Sequence, residues 1–187
     1  MAKRILDSVT NYLIDNPEKK FTWSDHSFFR KWYDENIKNN PKRKKEIKNL
    51  IATGKLDLVN GGLVQNDEAG PLAKETYTNF VEGLTFLYDE FGVRPDTVWQ
   101  LDPFGHSSST PEILKSLGFK NVVLNRMSDA YKNTLRENQD LEFIWQGDGE
   151  EEIFTKVLHG HYGVDIAFYF DTRWFASNKC PNPIDTR

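Results

Sequence analysis

The sequence predicts an α/β fold made of parallel β/α units, and three observations predict it. Strand-like and helix-like segments alternate along the 187 residues. Over most of the chain the connections between strands are too long for hairpins, and parallel strands need such crossovers. The first four strands each end in a polar or charged residue: Asp25, Asn60, Asp102 and Arg126. Parallel strands point their C-terminal ends one way, so these groups are expected to converge on one rim of the sheet.

The elements follow in order. Ile5, Leu6, Val9 and Leu13 recur at helical spacing, predicting a helix over residues 2–16 that stops at Asn16-Pro17. Lys20-Phe-Thr-Trp-Ser24 reads as a strand, and Phe28, Phe29, Trp32 and Tyr33 mark the apolar stripe of a second helix. Asn40-Pro41 is a cap-and-proline start for a third helix, closed by Gly54. Leu56-Asp-Leu-Val59 is the next strand, followed by Asn60-Gly61-Gly62 and a loop to Pro71. Residues 72–90 carry a long helical pattern with Gly92 and Pro95 beyond its end, and Thr97-Val-Trp-Gln-Leu101 is a buried strand. A short helix from Thr110 to Leu117 stops at Gly118, and Lys120-Asn-Val-Val-Leu124 is a further strand. Leu141 to Gln146 and Ile153 to Leu158 are two more, with an acidic turn over 147–152 between them.

Composition narrows the function classes. The length fits one domain. A net charge of −4 gives no case for nucleic acid, and the basic stretch over 41–48 interleaves with apolar residues as a solvated helix face does. Cys180 is alone, which leaves no internal disulfide and no cysteine metal site. No segment approaches the roughly 18 apolar residues of a membrane span. Met1-Ala-Lys-Arg opens straight into an amphipathic pattern rather than a signal peptide, so a cytosolic protein is expected if that start is natural.

The chemistry gathers at Trp99-Gln-Leu-Asp-Pro-Phe-Gly-His-Ser107, where a core strand delivers one carboxylate into a turn. A charge there requires compensation by a metal, a cation or several hydrogen bonds. Asp102 suits three jobs: metal ligand, nucleophile or hydrogen-bond acceptor. Arg126 could orient a carboxylate through its planar fork, Phe104 offers a ring to the rim, and His106 fits a loop-stabilising partner better than a ligand. In Asn66-Asp67-Glu68 the acids could do acid–base work or simply close an Asx turn. His159 and His161, two apart, could share a metal. Trp23 and Trp32 fit the core.

These residues carry a resemblance. The segment from Trp99 to Ser107 resembles the signature of class II α-mannosidases, glycoside hydrolase family 38, especially the lysosomal type. Met1-Ala-Lys-Arg-Ile-Leu-Asp-Ser-Val9, Phe28-Phe29 with Trp32, Val59-Asn-Gly-Gly62 and Asn66-Asp-Glu-Ala69 match in the same order, as do Phe91-Gly-Val-Arg-Pro95, Glu142-Phe-Ile-Trp145 and His161-Tyr-Gly163. Leu63 stands where the family usually has tryptophan, and Asp25 where glutamate is common. The resemblance implies part of an irregular (β/α)7-type barrel, with residues 1–187 a single partial catalytic domain. It implies zinc-dependent retaining hydrolysis of terminal α-mannose from N-glycan-type oligosaccharides, in a lysosomal or vacuolar setting. By it Asp102 is both nucleophile and zinc ligand, while Phe104, Arg126 and Tyr162 contact the sugar. The other zinc ligands and the acid/base carboxyl would come from the remainder of the enzyme, a partner this chain needs, so the chain alone is expected to be inactive. Two rivals are a non-catalytic glycan-binding or regulatory fragment and a zinc-dependent polysaccharide deacetylase-like hydrolase, the latter requiring His159 and His161 near Asp102.

Overall fold

The computed structural model describes residues 1–161. Helix α1 (Ala2–Asp15), strand β1 (Phe21–Trp23), helices α2 (His26–Asn36) and α3 (Pro41–Ala52) and strand β2 (Leu56–Leu58) form the first half. Helix α4 (Ala73–Phe91) crosses to β3 (Thr97–Gln100), α5 (Thr110–Ser116), β4 (Asn121–Leu124) and α6 (Asp129–Glu137), and the chain continues into β5 (Glu142–Gln146) and β6 (Glu152–Val157). The start signals act as read. Asn40 accepts the Arg43 N–H at 3.1 Å ahead of Pro41, and α4 ends at Gly92 with φ 69° in the left-handed region. None of the described helices is long and apolar enough to cross a membrane.

Strands β1 and β2 pair in parallel, Phe21 opposite Leu56 and Trp23 opposite Leu58. The larger sheet has the order β3-β4-β6-β5. Its β3–β4 and β4–β6 pairs are parallel, and only β5 runs antiparallel, against β6. Asn60 joins the two ladders. Its backbone N–H donates to Thr97 O at 2.8 Å, and its side-chain carbonyl accepts the Trp99 N–H at 3.4 Å. Its φ of 75° is left-handed, a conformation asparagine tolerates better than other side chains. The strand ends holding Asp25, Asn60, Asp102 and Arg126 therefore lie along one edge.

Two apolar clusters cover one face of this arrangement. The first packs Leu6, Leu13, Phe29, Trp32, Tyr33, Ile47 and Leu50 against Leu56 and Leu58, and the second packs Phe80, Leu114 and Phe119 against Val98, Val122, Ile153 and Val157. Helix α4 serves both, with Phe86 and Leu87 in the first and Phe80 in the second. Trp32 is core, as expected; Trp23 is partly buried beside it and donates its indole N–H to Asp25 O at 2.8 Å. On the opposite face Trp99, Val123 and Lys156 are half-buried, and Asp57 and Phe154 exposed. Part of the basic stretch is engaged rather than merely solvated: Arg43 reaches the Thr10 hydroxyl at 2.6 Å and Lys44 reaches Glu90 at 3.2 Å.

Two features depart from the sequence reading. Helix α6 was not expected: it is nine residues long and polar on average, and Lys132 shares its buried side with Leu135. The simple alternation of parallel units also stops at β5, which folds back as an antiparallel edge.

Helix α4 approaches the loop after β2 so closely that a Cβ at Gly83 would overlap the Gly61 carbonyl oxygen. In an ordinary helix interior Gly→Ala gains about 0.5–1 kcal/mol. Here Gly83→Ala should instead cost about 1–3 kcal/mol through overpacking, read as a lower urea midpoint. His26 gives a second expectation. It is fully buried and donates to Val59 O at 2.7 Å. Burial pushes its imidazole down from 6.5 to about 4, against the smaller upward pull of the Val59 bond. The unfolded chain takes up a proton that the native state refuses. Stability should therefore fall as pH drops below 6.5, by about 3 kcal/mol at the folded value. Urea unfolding from neutral to acid pH checks this, and His26→Gln should flatten that part of the profile.

Candidate active site

Asp102 leaves β3 at its C-terminal end with a side chain 59 % exposed. Arg126, just beyond the C-terminal end of β4, grips it: Nε and Nη2 both donate to Asp102 Oδ1, at 2.9 and 2.8 Å. The same guanidinium carbon lies 4.6 Å from the centre of the Phe104 ring, within cation–π range. Phe104 is 75 % exposed, a large apolar surface that folding leaves in water. These three expected site residues are thus brought together around one guanidinium. Tyr162, the fourth, lies outside the described residues, as does Cys180.

Beside Phe104 and Arg126 is a cleft of about 470 Å³, lined also by His106, Tyr131, Phe143 and Trp145, among others. Tyr131 comes from the unexpected α6, and sequence reasoning missed it for that reason. Phe143 and Trp145 stood in a quoted motif, but nothing in their spacing assigned them to this cleft. The cleft is aromatic on several sides and charged at its mouth, the composition of a pocket that receives a polar ligand with apolar faces.

Asp25, at the C-terminal end of β1, feels this charge. Its carboxyl is pushed above the ordinary range, first by burial and further by the Asp102 charge, while a hydrogen bond from Gln65 pulls the other way. Gln65 also accepts the Leu101 N–H at 2.9 Å, which fixes the end of β3. Asn60, fourth of the rim residues, is fully buried and structural, so convergence on the rim does not make every member a contact for ligand.

The loop from Asp102 to Ser107 is held from beneath. Glu68 accepts from His106 Nδ1 at 3.3 Å and from Ser107 N–H at 2.6 Å, and it also takes the Thr110 hydroxyl. His106 Nε2 donates to Arg126 O at 3.1 Å. Of the two readings open for Asn66-Asp67-Glu68, Glu68 anchors the loop, and Asp67 is exposed. On the far side of Arg126, buried Lys132 donates to Asn125 O at 3.1 Å, Asn125 Oδ1 at 2.9 Å and Gly160 O at 2.6 Å. Burial lowers the Lys132 ammonium from its usual value, helped by the nearby Arg136 charge and opposed by Asp129. Neither Glu68 nor Lys132 belongs to a periodic pattern, and only the fold reveals their partners.

The described residues do not by themselves fit a zinc ion. Among them no group of three or more His, Cys, Asp or Glu side chains is gathered to hold a metal, and Asp102 Oδ1 already faces a guanidinium. His159 and His161 are exposed beyond β6, a strand separated from β3 by β4. A hydrolase using that pair with Asp102 finds no support in this arrangement.

Comparison with known proteins adds to this geometry. Residues 1–179 match the sequence model of the glycosyl hydrolases family 38 N-terminal domain. Alpha-mannosidase D of Dictyostelium discoideum is 38% identical over 166 residues, covering 87% of this chain and 13% of that protein. The lysosomal alpha-mannosidase of the same organism is 35% identical over 169 residues, covering 89% of this chain and 16% of that protein. The chain therefore spans less than a fifth of the length of either relative. An α-mannosidase from Enterococcus faecalis shares the fold, with a TM-score of 0.69 at 18% identity over 87% of this chain and 18% of that one. With the family match running over nearly its whole length, the chain belongs to glycoside hydrolase family 38, within that family's N-terminal domain.

Proposed function

We propose that this chain carries the nucleophile of a retaining α-mannosidase that removes terminal α-mannose from N-glycan-type oligosaccharides. One observation carries the proposal: an exposed carboxylate at a parallel strand end, oriented by Arg126 beside an exposed aromatic ring. Retention requires a carboxylate that forms and then releases a glycosyl ester. Asp102 would attack the anomeric carbon as the leaving oxygen takes a proton from a second carboxyl. Water, deprotonated by that same group, would then cleave the ester. Arg126 orients the carboxylate and stabilises it as an anion between turnovers. Phe104 supplies a surface for the C–H face of the sugar, and Tyr162 is proposed as a further sugar contact.

Family 38 mannosidases are metal-dependent. In the complete enzyme a zinc ion would gather sugar hydroxyls, with Asp102 as one ligand and the others contributed from outside the described residues. The parallel run of β1, β2, β3, β4 and β6 supports an arc of a (β/α)7-type barrel, since its helices cover one face and leave the other partly open. We take residues 1–187 as one partial catalytic domain, and its remainder as the partner that completes the site. A lysosomal or vacuolar compartment is proposed on the likeness to a lysosomal relative.

In the complete enzyme, Asp102→Asn should lower kcat/KM on p-nitrophenyl α-mannoside by about a thousandfold or more, with circular dichroism unchanged. Full turnover in that variant would show that the nucleophile lies elsewhere. The isolated 187-residue chain, assayed on the same substrate with and without added zinc, should show no turnover. Robust hydrolysis by the chain alone would overturn the division of the site between this segment and the rest.

A further inference from the structure

Among the described residues, polar clusters lie outside the reacting groups. The one that reaches furthest is the pair Glu68 and His106 behind the loop bearing Asp102. Both are nearly buried, their side chains 9 % and 11 % exposed. Polar side chains this buried cost desolvation free energy that hydrogen bonding must offset. Here the satisfaction is distributed in a particular way. Glu68 comes from the loop after β2, and its bonds go to His106, Ser107 and Thr110, all after β3. His106 passes the connection on to the backbone carbonyl of Arg126, after β4. One ring nitrogen faces the Glu68 carboxylate and the other the Arg126 carbonyl. Three successive strand ends are thereby joined through one carboxylate and one imidazole.

The loop between these anchors is short. Leu101 N–H is fixed by Gln65 at one end, and Ser107 N–H by Glu68 at the other. Between them Asp102 and Phe104 stand in solvent, and Pro103 is buried. Arg126 then closes the circuit, since its side chain holds Asp102 while its backbone is held by His106.

We infer that Glu68 and His106 are positioning residues for the hydrolytic reaction: they set the separation between the Asp102 carboxylate and the Arg126 guanidinium. The inference rests on the reading of Asp102 as nucleophile. Neither residue acts on the sugar. Loosening them lets Arg126 drift from Oδ1, and a misplacement of about 1 Å in a reacting group costs on the order of a hundredfold in rate.

The test uses the complete enzyme and the variants Glu68→Gln, His106→Gln and Arg126→Lys, singly and in pairs, with Asp102→Asn as reference. Glutamine at 68 keeps an acceptor for Ser107, so the fold should persist even if His106→Gln proves unstable. Glu68→Gln should lower kcat by about tenfold to a hundredfold, with KM within about twofold and an unchanged melting profile. The decisive reading is the pair with Arg126→Lys. Residues that act through Arg126 lose their effect once it is replaced, so Glu68→Gln should cost little further in that background. A full additive loss there, a change confined to KM, or unchanged kcat in Glu68→Gln would each overturn the inference while leaving Asp102 in place. Undiminished turnover in Asp102→Asn would instead remove the underlying reading of the nucleophile.

Discussion

The contact between helix α4 and the loop after β2 is the constraint on which the remaining architecture depends. Gly83 has no side chain, and the backbone of Gly61 and Gly62 occupies the space a Cβ would need. That approach sets Asn60 beside β3, where its amide supplies bonds that a regular ladder residue would otherwise make. The short β1–β2 ladder is thereby brought into line with the longer sheet. Without it, four strand ends would be divided between two unrelated edges. A glycine in the middle of a helix is unfavourable by about 1 kcal/mol in isolation; here that local penalty is offset by the register it permits.

Charge is arranged on this rim in a graded way. Asp102 is exposed and paired, so its ionised form meets both water and a guanidinium. Asp25 is more buried, and its carboxyl is pushed upward by that burial and by its neighbour's charge. A carboxyl pushed upward beside a second, exposed carboxylate is an arrangement associated with functional sites. The basic groups are graded too. Arg126 faces solvent and the cleft, while Lys132 is turned inward and spends its donors on the carbonyl groups of Asn125 and Gly160. The proposed function gives ligand chemistry to the first, while the second holds backbone geometry.

Much of this was legible in the residues, for identifiable reasons. Helices α1 to α5 carry caps, prolines or apolar stripes that declare their ends, and the polar residue closing each of the first four strands marked the rim. That Arg126 could orient a carboxylate was legible from its planar fork, and the fold identifies that carboxylate as Asp102. Helix α6 was hidden because it is short and mostly polar, and a lysine is buried where an apolar residue would be expected. Glu68 looked like part of a turn because its partners lie about forty residues away in sequence, at His106, Ser107 and Thr110. Tyr131 was lost with its helix. Local pattern reveals elements, whereas which loop supports which depends on the packing between them.

Arg126 explains how an exposed site can still be an ordered one. Two solvent-facing side chains on a short loop would ordinarily sample many rotamers, and exposed ion pairs seldom hold a geometry by themselves. A guanidinium, however, has an edge and a face that work independently. Its edge donates to Asp102 through Nε and Nη2, while its central carbon lies over the Phe104 ring. One planar group therefore restrains both the carboxylate and the aromatic surface. An ammonium on a flexible stem offers no flat face to the ring and no paired donors to the carboxylate. The planar shape of one side chain, more than the strength of any single bond it makes, lets the loop present Asp102 and Phe104 to solvent in one fixed relation.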